Sequence, residues 1–130
     1  MQLVKKIEQF FNSIPKDKFG IDMMEFNNLM SLDTKKEYFL LDIREKKYFT
    51  SFRIKGAKNI PFKQVGNRLD EIPLDKKIIV ICNTGFTAAQ TSSLLNILGY
   101  KTWVLRDGIE GYIEMGGQIE QISSKLKGVS

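Results

Sequence analysis

Cys82 combines the chemistry of a nucleophile with a place in the chain suited to use it. It is the one cysteine among 130 residues. It follows the apolar run Ile78-Ile79-Val80-Ile81 and opens the stretch Cys82-Asn83-Thr84-Gly85-Phe86-Thr87. After that stretch, Ala88, Leu94, Leu95 and Leu98 recur at helical spacing. A junction from strand through loop to helix lies at the carboxyl end of a strand, where open α/β sheets bind ligands. Loop amides and the free N–H groups of a helix start converge there into an anion site. Gly85 gives the loop backbone angles that turn successive N–H groups inward. A sulfur anion at Cys82 would be held by these dipoles without a base beside it. The competing reading is an inert core cysteine, and the junction with its central glycine favours the reactive one.

Two absences narrow the chemistry. The sequence has no histidine, which excludes Ser-His-Asp and Cys-His catalysis and any His-ligated metal. A lone cysteine excludes an internal disulfide, a two-cysteine redox motif and a cysteine-rich zinc or iron–sulfur site within one chain. No metal and no cofactor is expected. The formal net charge of +5 favours anionic partners. The lysines are scattered, however, so a solvated basic surface is expected rather than a nucleic-acid site. No run approaches the ~20 apolar residues of a membrane span. Residues 1–11 lack an apolar core followed by a cleavage site, so a cytoplasmic protein is expected.

The elements that must position the cysteine can be read from periodicity. Leu3, Val4, Ile7, Phe10 and Phe11 form a helical stripe that ends near Asn12, Ser13 and Pro15, and this helix should pack on the domain. Phe19–Ile21 suits a short strand. Asp22 suits an N-cap for a helix over Met23–Met30, with Glu25 completing a capping box. Tyr38–Ile43 reads as a buried strand, Glu45–Ser51 as a short helix and Phe62–Leu69 as another. Between them, Gly56 to Pro61 reads as a turn and a short extended piece. Lys77–Ile81 is apolar on both faces, as a central parallel strand should be. The helix from Phe86 should stop at Gly99. Lys101–Leu105 is the next strand, with Trp103 in the core, and a last helix starts near Ile109. This alternation predicts an α/β sheet covered by helices on both sides.

Three segments together resemble the rhodanese domains, over about residues 19–119. The first is Leu41-Asp42-Ile43-Arg44-Glu45 with Tyr48, followed by Ile54-Lys55-Gly56-Ala57-Lys58-Asn59-Ile60-Pro61. The second is Val80-Ile81-Cys82 with Gly85 three residues on. The third is Val104-Leu105-Arg106-Asp107-Gly108 with Tyr112 and Gly116-Gly117. The resemblance implies a rhodanese-like three-layer fold, a five-stranded parallel sheet flanked by helices, with the N-terminal helix as an addition. Residues 1–18 would then be an N-terminal helical extension and 19–130 the rhodanese-like domain.

The resemblance also implies a sulfurtransferase. Cys82 would be the catalytic nucleophile, cycling between thiol and persulfide. The amides of Asn83, Thr84, Gly85, Phe86 and Thr87 would form the substrate cradle, with Asp42 and Arg44 supporting. Asp42 is expected to shape the site by accepting backbone N–H groups, and Arg44 to be an ion-pair partner or a lure for anions. The donor would be a small anion such as thiosulfate, and the acceptor a thiol, cyanide or a protein. Thr87 stands where many members carry a basic residue, and Arg53 where a histidine is common. A phosphatase on this fold needs an arginine at the position of Ala88, which excludes that reading. A non-catalytic or regulatory rhodanese-fold binding module is the alternative.

Overall fold

The computed structural model describes residues 2–13 and 20–121. Along the chain lie α1 (Gln2–Ser13), β1 (Gly20–Ile21), α2 (Met23–Ser31), β2 (Tyr38–Asp42) and α3 (Lys46–Ser51). Then come β3 (Phe52–Arg53), β4 (Lys58–Asn59), β5 (Lys77–Ile81), α4 (Phe86–Ile97), β6 (Lys101–Leu105), α5 (Gly108–Glu114) and β7 (Glu120–Gln121). Five strands form one parallel sheet in the order β1-β6-β5-β2-β4, and β3 pairs with β7 in a separate antiparallel ribbon. The expected five-stranded parallel sheet between helical layers is thus present.

The period of two along the strands divides the core. Ile78, Val80 and Cys82 face one side, packed with Leu41, Ile43, Val104, Ala88 and Leu95. Ile79 and Ile81 face the other, packed with Leu40, Leu105, Phe26, Ile109 and Tyr112. The α4 helix therefore covers the face that carries the cysteine, while α2 and α5 cover the opposite face. Two buried contacts fix α4 to the sheet. Ser92 Oγ donates to Thr102 Oγ1 at 2.7 Å, and Thr102 Oγ1 donates to the Ser92 carbonyl at 3.0 Å. The opposite layer is locked by an edge-on contact of the Phe26 and Tyr112 rings, 5.7 Å between centroids.

Most element expectations hold, and the differences have local causes. Asp22 caps α2 as read, accepting from the Glu25 amide at 2.8 Å. Gly99, at φ +102°, ends the α4 turn. The segment expected as a helix over Phe62–Leu69 is instead two 3₁₀ turns, Phe62–Asn67 and Leu69–Glu71. With one buried side chain, Val65, the first turn lacks an apolar stripe that would hold an α-helix against the domain. In α1, Phe10 is buried and Ile7 half-buried, while Leu3, Val4 and Phe11 stay exposed. The helix packs on α4 near Asn96–Gly99, which covers only the end of the stripe. Trp103 is half-buried and packs on the α2/α5 side. Pro15 and Phe19 lie outside the described residues.

Candidate active site at the carboxyl end of the central strand

The site begins where β5 ends. Strand pairing with β2 and β6 brings Cys82 to the carboxyl edge of the middle of the sheet, on the α4 face. Gly85 follows three residues later at φ +100°, a conformation that glycine enters without strain. That turn aims its own amide back at the sulfur: Gly85 N–H reaches Cys82 Sγ at 3.0 Å. Gly85 is also the N-cap of α4, and the amide of Ala88 reaches the same sulfur at 3.3 Å. The cysteine sulfur therefore takes the role of a capping acceptor for a helix start. Cys82 is 3% exposed, so these dipoles act on it largely without competition from water.

Of the cradle residues read from sequence, Gly85 donates to the sulfur directly. The amides of Asn83, Thr84, Phe86 and Thr87 find no carbonyl acceptor among the described residues. The side chains of Asn83, Thr84 and Phe86 are exposed, and that of Thr87 is half-buried. Ala88 was read as an apolar helix position and as the place where a phosphatase would carry arginine, not as a donor to the sulfur. Its side chain is fully buried and its backbone is what serves the site. The signal was available: three residues past the capping Gly85, its N–H is one of the donors a helix start leaves free.

A second anchor comes from α5. The amides of Ile109 and Glu110 donate to the carbonyls of Cys82 and Asn83 at 2.8 and 3.0 Å. With those carbonyls turned toward α5, the loop is held from behind. The approach demands a glycine at 108, because a Cβ there would collide with the carbonyls of Asn83 and Cys82. Gly108 sits at φ +64°, just after Asp107 at φ +62°. The Asp107-Gly108 pair in the third sequence segment thus acts on the first atoms of the site.

The opposite wall is built from side chains. Asp42 and Arg44 form an ion pair with both side chains fully buried, Nη2 to Oδ2 at 2.9 Å. Arg44 Nε donates to both carboxylate oxygens at 3.1 Å, and the Arg44 amide donates to Oδ1 at 2.9 Å. Nη2 also donates to the Phe52 carbonyl at 2.7 Å, and the guanidinium lies 4.7 Å from the Phe52 ring centroid. Its Nη1 is buried without a hydrogen-bond partner among the described residues. Asp42 accepts a backbone N–H as expected, and Arg44 is an ion-pair partner. Arg53, where a histidine is common in the family, ties β3 to β7 through Glu120 at 3.2 Å.

Between the walls lies a cavity of about 640 Å³, with Cys82 at its base. Arg44, Phe62, Lys63, Thr84, Phe86 and Thr87 are among its lining residues. Backbone bonds join the walls to the segment that closes the cavity. Ile60 N–H donates to the Asp42 carbonyl at 3.0 Å and Phe62 N–H to the Ile43 carbonyl at 2.9 Å. Asn59 Nδ2 donates to the carbonyls of both Asp42 and Arg44 at 2.9 Å. Among the described residues, no group of His, Cys, Asp or Glu could hold a metal ion, and no helix is long and apolar enough to cross a membrane.

A cysteine sulfur under converging amides on a five-stranded parallel sheet defines the class, and comparison agrees. The rhodanese-like domain model matches residues 25–115, so the chain belongs to the rhodanese-like family. Among curated relatives, the uncharacterized protein YqhL of Bacillus subtilis is 31% identical over 62% of this chain. Thiosulfate sulfurtransferase GlpE of Glaesserella parasuis is 30% identical, also over 62% of this chain. The matches span 63% of the length of YqhL and 76% of GlpE. Among solved structures, a rhodanese-related protein from Thermoplasma volcanium superposes with a TM-score of 0.71 at 27% identity. That match covers 78% of this chain and 96% of the other.

Proposed function

We propose that this chain is a sulfurtransferase that carries sulfane sulfur as a persulfide on Cys82. The observation that carries the reading is the pair of amides, Gly85 and Ala88, directed at Sγ at the base of an open cavity. The thiolate attacks the outer sulfur of thiosulfate or a similar donor. A sulfur–sulfur bond forms at Cys82, the donor's own sulfur–sulfur bond breaks, and its electron pair leaves on sulfite. The terminal sulfur of the persulfide stands one bond, about 2.05 Å, beyond Sγ. The unengaged amides of Asn83, Thr84, Phe86 and Thr87 are the loop donors left to hold that anion, by the logic of an oxyanion hole. With no second cysteine in the chain, the sulfur waits for an external acceptor: a thiol, cyanide or a protein.

In this reading residues 19–130 form the catalytic domain, residues 1–18 are an extension outside the chemistry, and the protein works in the cytoplasm. The decisive experiment is turnover of thiosulfate and cyanide to thiocyanate by wild type and Cys82→Ser. Wild-type turnover that falls to background in the variant supports the enzyme. A folded wild type whose Cys82 gains no sulfur from any donor, read by mass spectrometry, would instead indicate a rhodanese-fold binding module.

A further inference from the structure

The loop that carries Cys82 brings no cation to its own site, since Asn83 to Thr87 are all neutral. A donor such as thiosulfate carries two negative charges and must approach a thiolate that carries one. The amides of Gly85 and Ala88 are directed at Sγ itself, so charge on the distal end of the donor has to be met elsewhere. Three charged side chains line the cavity: Arg44, Glu45 and Lys63. Arg44 is committed to the buried carboxylate of Asp42. Glu45 is itself an anion, and lies 3.8 Å from Lys47. Lys63 forms no ion pair or side-chain hydrogen bond among the described residues, and its side chain is exposed to the cavity mouth.

We propose that Lys63 is the anion-recruiting residue of this site and selects a small dianionic sulfur donor, compensating from a second loop for the neutral Thr87. The inference rests on the sulfurtransferase reading of Cys82 and deepens it. The backbone at Lys63 is held firmly for such a task. Pro61, at φ −54°, leads into the 3₁₀ turn Phe62–Asn67. The amides of Ile60 and Phe62 are tied to Asp42 and Ile43, and Val65 buries the far side of the turn. The turn is followed by Arg68, whose Nε and Nη2 hold Glu71 at 2.6 and 2.9 Å, while Lys58 on β4 lies 3.3 Å from the same carboxylate. Lys63 thus has an anchored backbone and a free, exposed side chain, which suits transient capture of an anion. The step it assists balances without a proton. Thiolate and thiosulfate carry three negative charges before transfer, and persulfide and sulfite carry three after it. The ammonium offsets repulsion at the encounter and releases sulfite by exchange with solvent.

The test compares sulfur loading of Cys82 by thiosulfate with its modification by an uncharged alkyl thiosulfonate, in wild type, Lys63→Gln and Lys63→Arg. Lys63→Gln should slow thiosulfate loading about tenfold at low salt and flatten its dependence on ionic strength. Its rate with the uncharged reagent should equal that of wild type, and Lys63→Arg should retain most of the thiosulfate rate. Equal thiosulfate rates in wild type and Lys63→Gln overturn the role of Lys63 and leave the sulfurtransferase reading standing. A parallel loss with both reagents also overturns it, because that marks a structural effect. A wild type that modifies with the uncharged reagent but gains no sulfur from thiosulfate overturns the donor assignment itself.

Discussion

The loop after β2 and the loop after β5 face each other across one cavity and are built on opposite plans. After β2, side chains do the holding: Asp42 and Arg44 are buried, paired and hydrogen-bonded to backbone on both sides. After β5, the backbone does the holding: amides of Gly85 and Ala88 converge on Sγ, and α5 grips the carbonyls of Cys82 and Asn83. The first plan makes side-chain identity decisive for stability. The second makes backbone angle decisive for the surroundings of the sulfur and leaves most of the loop's side chains exposed.

The largest effect should come from the side-chain wall. Arg44→Met leaves the Asp42 carboxylate buried without its partner, and breaking such a pair costs about 3–5 kcal/mol. Urea unfolding should show a correspondingly lower midpoint. Because the pair's own desolvation offsets much of its attraction, Asp42→Leu with Arg44→Met should recover part of the loss. A single variant as stable as wild type would show that the buried pair is not what holds this wall.

On the backbone wall the change that matters is Gly85→Val. A β-branched residue is strained at φ +100°, so the turn relaxes and withdraws an amide from the sulfur. Turnover should fall about 10²-fold, the scale of losing one oxyanion-hole donor. The circular dichroism spectrum should stay native, because Gly85 is only half-buried and the first added carbon would meet nothing closer than the Asp107 amide nitrogen at 3.5 Å. Wild-type turnover in this variant would mean that the amide aimed at Sγ contributes nothing to the reaction.

The two plans also explain what could be read from sequence. Lys77–Ile81 is apolar from Ile78 on, Lys101–Leu105 ends in Trp103-Val104-Leu105, and both strands have the bounds expected of them. Asp22 and Glu25 announce a helix start through local spacing alone. The Cys82 loop was legible because its logic is local: a strand end, a glycine and a helix start within six residues. Gly108 was visible only as part of a family segment, since its reason lies in carbonyls 25 and 26 residues earlier in the chain. Lys63 carried no signal at all. Its place at the cavity depends on the long-range bonds from Ile60 to Asp42 and from Phe62 to Ile43. The 3₁₀ turns replaced an expected helix because tertiary anchoring, not periodicity, shapes that segment.

The smallest expected effect tests the comparison from the other side. Asn83 and Thr84 lie between Cys82 and Gly85, yet their side chains are exposed and make no hydrogen bond among the described residues. If the loop works through its backbone, Asn83→Ala with Thr84→Ala should shift stability by no more than about 0.5 kcal/mol. Alanine supplies the same amide, so the rate of sulfur loading should stay within about twofold of wild type. The cavity mouth widens by two polar groups, and any change should appear in KM for a bulky acceptor before it appears in loading by thiosulfate. A hundredfold loss of loading in the double variant would show that these side chains bind the donor directly. The division between a side-chain wall and a backbone wall would then fail at its most exposed point, while the Gly85 and Lys63 experiments would keep their meaning. Silence at Asn83 and Thr84 beside a large loss at Gly85 would separate backbone geometry from side-chain chemistry within one loop.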